Sequence, residues 1–75
     1  MAGVTTATKG MSLVVNGQAT VSRAATLAEL IAELGYGDAK IATARNGEFV
    51  ARAVRHATRL TPGDKIEIVS PRQGG

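Results

Sequence analysis

The spacing of apolar residues changes along this chain, and each change marks an element. From Ser12 the run SLVVN is short and β-rich, and Asn16-Gly17 follows it. That pair is the strongest short hairpin signal, because both residues tolerate positive φ. QATVS then alternates polar and apolar, as a half-buried strand does. The pattern predicts a hairpin of Ser12–Asn16 with Gln18–Ser22, in which Leu13 and Val15 enter the core and Val14 points the other way.

The period then becomes helical. Leu27, Leu30, Ile31 and Leu34 recur at i, i+3, i+4 and i+7, which makes one apolar stripe. Thr26 and Glu29 have capping-box spacing, and Gly35 stands where a left-handed C-cap is expected. A helix from about Leu27 to Leu34 therefore lays its stripe on a sheet. Ile41–Arg45 is a third strand, turned back by a second Asn-Gly at Asn46-Gly47 into Glu48–Val50, where Phe49 faces out and Val50 in. Ala51–Arg59 reads either as a short helical turn or as an extended crossing segment. Pro62-Gly63 is a turn, and Lys65–Val69 is a strand with Ile66 and Ile68 inward and Glu67 outward.

This order suits one arrangement. After a hairpin and a crossing helix, a right-handed crossover returns the last strand beside the first. The fold class expected is α+β: a β-grasp, or ubiquitin-like, roll with a mixed four- to five-stranded sheet packed on one main helix. Residues 1–10, rich in Thr, Ala and Gly and without an apolar period, are expected to be a disordered arm. Residues 11–69 form the domain, and residues 70–75 form a flexible tail ending in Gly-Gly.

Composition narrows the function. A chain of 75 residues is one domain and buries only about 60% of its unfolded surface, which leaves no room for a deep substrate pocket. With no cysteine, a disulfide, a thiolate metal site and a thiol nucleophile are all excluded. No apolar run approaches the roughly 20 residues of a membrane span, and no secretory signal is visible, so a soluble, cytoplasmic protein is expected. Charge is uneven. Residues 1–38 sum to −1, whereas Lys40, Arg45, Arg52, Arg55, Arg59, Lys65 and Arg72 against Glu48, Asp64 and Glu67 bring residues 39–75 to +4. The basic half motivates a nucleic-acid-binding module as the reading from a different class. Only Tyr36 and Phe49 are available for stacking and no run of adjacent basic residues exists, which sets that reading behind.

No catalytic constellation is visible. His56, beside Arg55 and near Arg59, reads as a solvated surface residue, and Glu29 and Glu33 as a solvated helix face. The exception is Gly74-Gly75. A tail of six residues from Ser70 reaches about 20 Å when extended, far enough to enter another enzyme's active site. Glycine has no Cβ, so such an end threads a narrow channel and leaves its carbonyl open to attack. Gly75 is thus the candidate reacting residue, with Gly74, Gln73 and Arg72 as the tail that a partner's site would accept. Val14, Phe49 and Val69, on outward faces, are the candidate docking surface.

Five segments together resemble the ThiS family of thiamine-biosynthesis sulfur carriers: VVNG at 14–17, TLAELIAELG at 26–35, ARNGEFVAR at 44–52, LTPGDKIEIV at 60–69 and QGG at 73–75. The resemblance covers about residues 11–75. It implies a protein that is not an enzyme but a co-substrate of enzymes, with no cofactor of its own. An E1-like enzyme uses ATP to adenylate the carboxylate of Gly75. A cysteine desulfurase or rhodanese-type donor then supplies sulfur to form a thiocarboxylate, and thiazole synthase takes that sulfur for the thiazole of thiamine. The carrier of molybdopterin synthase shares fold and ending and is the near alternative. Two departures from the family pattern, Ala51 in place of a frequent proline and the polar Pro71-Arg72, bear on partner preference.

Overall fold

The computed structural model describes residues 10–37 and 39–70. Strands β1 (Met11–Val15) and β2 (Gln18–Ser22) form the first hairpin, α1 (Leu27–Glu33) crosses over, and β3 (Ala42–Arg45) and β4 (Glu48–Val50) form the second hairpin. A 3₁₀-helix (Arg52–Ala57) and β5 (Lys65–Val69) complete the order. The five strands lie as β2-β1-β5-β3-β4, with β5 parallel to β1 and antiparallel to β3. This is the mixed sheet and single main helix of a β-grasp roll, with the last strand at its centre.

Local chemistry accounts for the elements. Both Asn-Gly pairs take left-handed backbone, Asn16 at φ 50° with Gly17 at 82° and Asn46 at 52° with Gly47 at 87°. Such two-residue turns match the twist of the flanking strands, and they set the register Val15 to Gln18 and Arg45 to Glu48. At the start of α1, Thr26 Oγ1 accepts from the Glu29 N–H, while Glu29 Oε1 accepts from the Ala25 N–H rather than from Thr26 itself. At its end Gly35 is left-handed. Its N–H donates to Ala32 and that of Tyr36 to Ile31, which satisfies the carbonyls the helix would otherwise leave open. The stretch Ala51–Arg59 resolves as the 3₁₀-helix followed by a single bridge between Thr26 and Arg59.

Leu13, Leu27, Leu30 and Ile66 are fully buried, joined by Ala24, Ile31, Val50, Leu60 and Ile68. The burial of roughly 1.5–3 kcal/mol per large aliphatic side chain is the main favourable term for so small a domain. One expectation from periodicity does not hold, and the faces of β2 are settled by its turn. Leu34 lies beyond the last helical turn and is 39% exposed. On β2 the apolar residues face out: the turn pairs Thr20 with Leu13 and Ser22 with Met11, so Val21 takes the outer face at 72% exposure and Ser22 the inner. Ser22 is tolerated there because its hydroxyl donates to Glu33 Oε1 at 2.6 Å and accepts from the Ala24 N–H at 2.9 Å.

Gly10, assigned to the arm from composition, is half-buried against β2. A Cβ there would stand 2.7 Å from Val21 Cγ1 and 2.8 Å from the Ser22 carbonyl oxygen. Because a backbone atom must give way, Gly10→Ala is expected to cost about 1–3 kcal/mol, read as a lower urea midpoint with unchanged slope. The rest of the arm, residues 1–9, lies outside the described residues.

Candidate functional site

β5 carries the chain to Ser70, so whatever fixes β5 fixes the origin of the tail. Its regular neighbour β1 ends at Val15, where the hairpin turns away. The ladder continues through a side chain. The Asn16 N–H donates to the Ile66 carbonyl at 2.8 Å, then Asn16 Oδ1 accepts from the Ile68 N–H at 2.8 Å and Nδ2 donates to the Ile68 carbonyl at 3.2 Å. The amide thus replaces one backbone residue of the ladder, two positions before Ser70. Asn16→Gly keeps the left-handed turn and removes this clamp. It is expected to cost about 1–2 kcal/mol, with faster hydrogen exchange at the Ile68 amide while the Leu13 amide stays protected.

The other end of β5 is held in the same way. The Asn46 N–H donates to the Lys65 carbonyl, Asn46 Oδ1 accepts from the Lys65 N–H, and Nδ2 donates to Asp64 Oδ1 at 3.0 Å. Asp64, only 4% exposed, also accepts from Arg45 Nε at 2.7 Å, from the Thr61 N–H at 2.8 Å and from the Thr61 hydroxyl at 2.9 Å. Burial opposes the charge on Asp64. The donors from Arg45, Asn46 and Thr61 outweigh it and hold the carboxyl well below the usual carboxylate range. Asn16, Asn46 and Asp64 were legible only as turn residues and a charge. The signal for more was the choice of Asn at both turns and the Thr61–Asp64 spacing, which permits a local side-chain turn.

The outer face of the sheet carries an apolar patch. Val69 pairs with Ala42, Ala44 with Glu67 and Phe49 with Ala44 across three adjacent strands, framing a shallow hollow of about 250 Å³. Phe49, as expected, faces out, at 72% exposure. Val14 does not join this patch. It is half-buried and pairs with Lys65, four residues before Val69, about 13 Å away along the strand. Adjacency of β1 and β5, correctly expected, does not bring the two valines together because the register offsets them.

The basic half is less free than its sum suggests, since Arg45 is engaged by Asp64 and Arg55 is not solvated. Arg55 is 8% exposed and donates to Thr43 Oγ1 at 3.0 Å and to the Ile41 carbonyl at 2.8 Å. Thr43 in turn donates to the Val50 carbonyl, so Arg55 ties the 3₁₀-helix to the sheet. His56, as expected, is exposed. Among the described residues no group of three His, Asp or Glu could hold a metal, and no helix is long and apolar enough to cross a membrane. Arg72, Gln73, Gly74 and Gly75 lie outside the described residues.

A mixed five-stranded sheet with the last strand at its centre and one main helix across it defines the class of ubiquitin-like β-grasp folds. The ThiS family model matches residues 8–75, and this chain belongs to that family. A crystal structure of a thiamine biosynthesis protein (ThiS) from Geobacter metallireducens superposes with a TM-score of 0.73 at 30% identity, covering 87% of this chain and 100% of that one. A thiazole synthase from Paramagnetospirillum magneticum is 38% identical over 66 residues, which are 87% of this chain and 20% of that protein. The chain thus spans about a fifth of the length of this curated relative.

Proposed function

We propose that this chain is the sulfur carrier for the thiazole of thiamine and that the carboxylate of Gly75 is its reacting group. The observation that carries the reading is the family match through residue 75, which takes in Gln73, Gly74 and Gly75 together with the domain that presents them. A carboxylate is a poor electrophile. An E1-like enzyme uses ATP to convert it to an acyl-adenylate with loss of pyrophosphate. A persulfide from a cysteine desulfurase or rhodanese-type donor displaces AMP, and a thiol releases the thiocarboxylate. Thiazole synthase accepts that sulfur, a partner favoured over molybdopterin synthase by the thiazole synthase relative. The chain itself supplies no catalytic group and binds no cofactor in this scheme; it is a co-substrate, and ATP belongs to the activating enzyme.

The test is intact mass after incubation with ATP, an E1-like enzyme and a sulfur donor. An increase equal to the exchange of one oxygen for sulfur, localised to Gly75, is expected. Its absence while a known carrier is converted under the same conditions would sink the reading.

Docking is assigned to the patch of Phe49, Val69, Ala42 and Ala44, without Val14. Phe49→Ala is expected to leave stability within about 0.5 kcal/mol, because the ring is exposed. It should weaken binding to the adenylating enzyme by about 1–3 kcal/mol, as loss of an aromatic anchor does. Calorimetric titration against that enzyme checks this.

A further inference from the structure

A second cavity lies on the opposite side of the sheet from the apolar patch, between α1 and the 3₁₀-helix. It measures about 180 Å³ and is lined by Ala28, Ile31, Gly37, Arg52, Arg55 and His56. Three of these six residues carry nitrogen donors, all from one short helix, and no carboxylate lines the cavity among the described residues.

The notable member is Arg55. Arginine is seldom buried this fully without an anionic partner. Among the described residues its Nε and Nη2 meet only neutral oxygens, those of Thr43 and Ile41. Its Nη1 has no hydrogen-bond partner among the described residues. Among the described residues no polar side-chain atom is buried without a partner, and Arg55, with Nη1 outside its hydrogen bonds to Thr43 and Ile41, lines the cavity. The guanidinium is therefore fixed on two sides and offers its third as a preorganised donor in a partly enclosed space, where a charge-assisted bond is stronger than at an open surface. Arg52 and His56 stand at the rim, four residues apart on the 3₁₀-helix and both exposed. Arg52 adds a second cation, and an imidazole offers an N–H donor even when neutral.

We propose that this cup is an oxyanion site for a phosphoryl group, with Arg55 as its floor and Arg52 and His56 as its rim. Three donor side chains around one cup suit a tetrahedral phosphate, which presents oxygens in three directions, better than a planar carboxylate with two. The volume admits one such group, given that a water molecule occupies about 30 Å³ of liquid. The apolar wall of Ala28 and Ile31 limits competing hydration. The site does not rest on the sulfur-carrier reading, and either can fail without the other.

The test is titration of ¹⁵N-labelled protein with inorganic phosphate at constant ionic strength, with AMP and ATP as parallel arms. Saturable shifts confined to the amides of Arg52–Ala57, Ile31 and Gly37 are expected. Affinity should fall about tenfold or more in Arg52→Ala and in His56→Ala, as when one charge-assisted donor is lost, and remain unchanged in Arg23→Ala, an exposed arginine elsewhere. Arg55 is left intact because it also holds the fold together. Equal binding of phosphate and the nucleotides identifies the bare phosphoryl group as ligand; tighter binding of AMP or ATP identifies a nucleotide-borne one. Shifts that grow linearly without saturation, or affinities equal in Arg52→Ala and Arg23→Ala, would overturn the proposal.

Discussion

Deletion of Gly75 is expected to abolish sulfur loading while leaving the unfolding midpoint unchanged. The shortened chain still ends in a glycine carboxylate, that of Gly74, so the variant changes reach rather than chemistry. Its carboxylate stops about 3.5 Å short of the position the activating enzyme must adenylate. A misplacement of about 1 Å can cost 10²-fold in rate, so a full residue should bring loading below detection. Gly75→Ala separates reach from shape. It restores the length but adds a Cβ beside the reacting carbonyl and narrows the accessible dihedrals, and partial loading is expected. Intact-mass spectrometry reads both variants. Full loading of the deletion variant would show that the reacting group is elsewhere.

Asp64→Ala is expected to be the most destabilising substitution of a charged residue in the domain, at about 2–4 kcal/mol. The change removes one acceptor from Arg45, Asn46 and Thr61 at once and leaves the Arg45 guanidinium, whose side chain is 32% exposed, without its ion partner. For a domain of this length, whose total stability is on the order of 4–11 kcal/mol, that is a large fraction. The carboxyl is depressed in the folded state. Its contribution is therefore fully present above the unfolded value of 3.8 and is lost as pH falls toward the folded value. Urea midpoints of the native protein should decline from about pH 5 downward. Asp64→Asn keeps the shape without the charge, starts lower and declines less, so the gap between the two narrows as the pH is lowered. A constant gap across that range would mean that the carboxylate is not the source of the stability.

What the sequence disclosed follows from how local each cause is. The two hairpins and the capped helix were legible because Asn-Gly turns, the Thr26–Glu29 cap and the Gly35 terminator act within a few residues. The placement of β5 beside β1 was legible because crossover handedness leaves few alternatives. The errors arose where a distant partner decides. The alternation of QATVS did not say which set faces the core; the turn register paired Ser22 with Met11 on the inner face and Glu33 satisfied the serine hydroxyl. Arg55 looked like a surface charge until the fold brought Thr43 and Ile41 to its guanidinium. Of the candidate surface, Phe49 and Val69 were brought together and Val14 was not, because the offset between β1 and β5 cannot be read from either strand alone.

The Asn16 clamp has a consequence for biosynthesis. It joins residues 52 positions apart, so the ladder beside Ile68 cannot close until the beginning and end of the domain have both been made and have met. Such non-local pairings form late and slowly relative to helix and hairpin formation. The last strand, Lys65–Val69, is therefore anchored by a contact that only the complete domain can make. An incompletely folded copy lacks this clamp, so closing the ladder between the first and last strands is the condition under which the last strand is held as it is in the native domain.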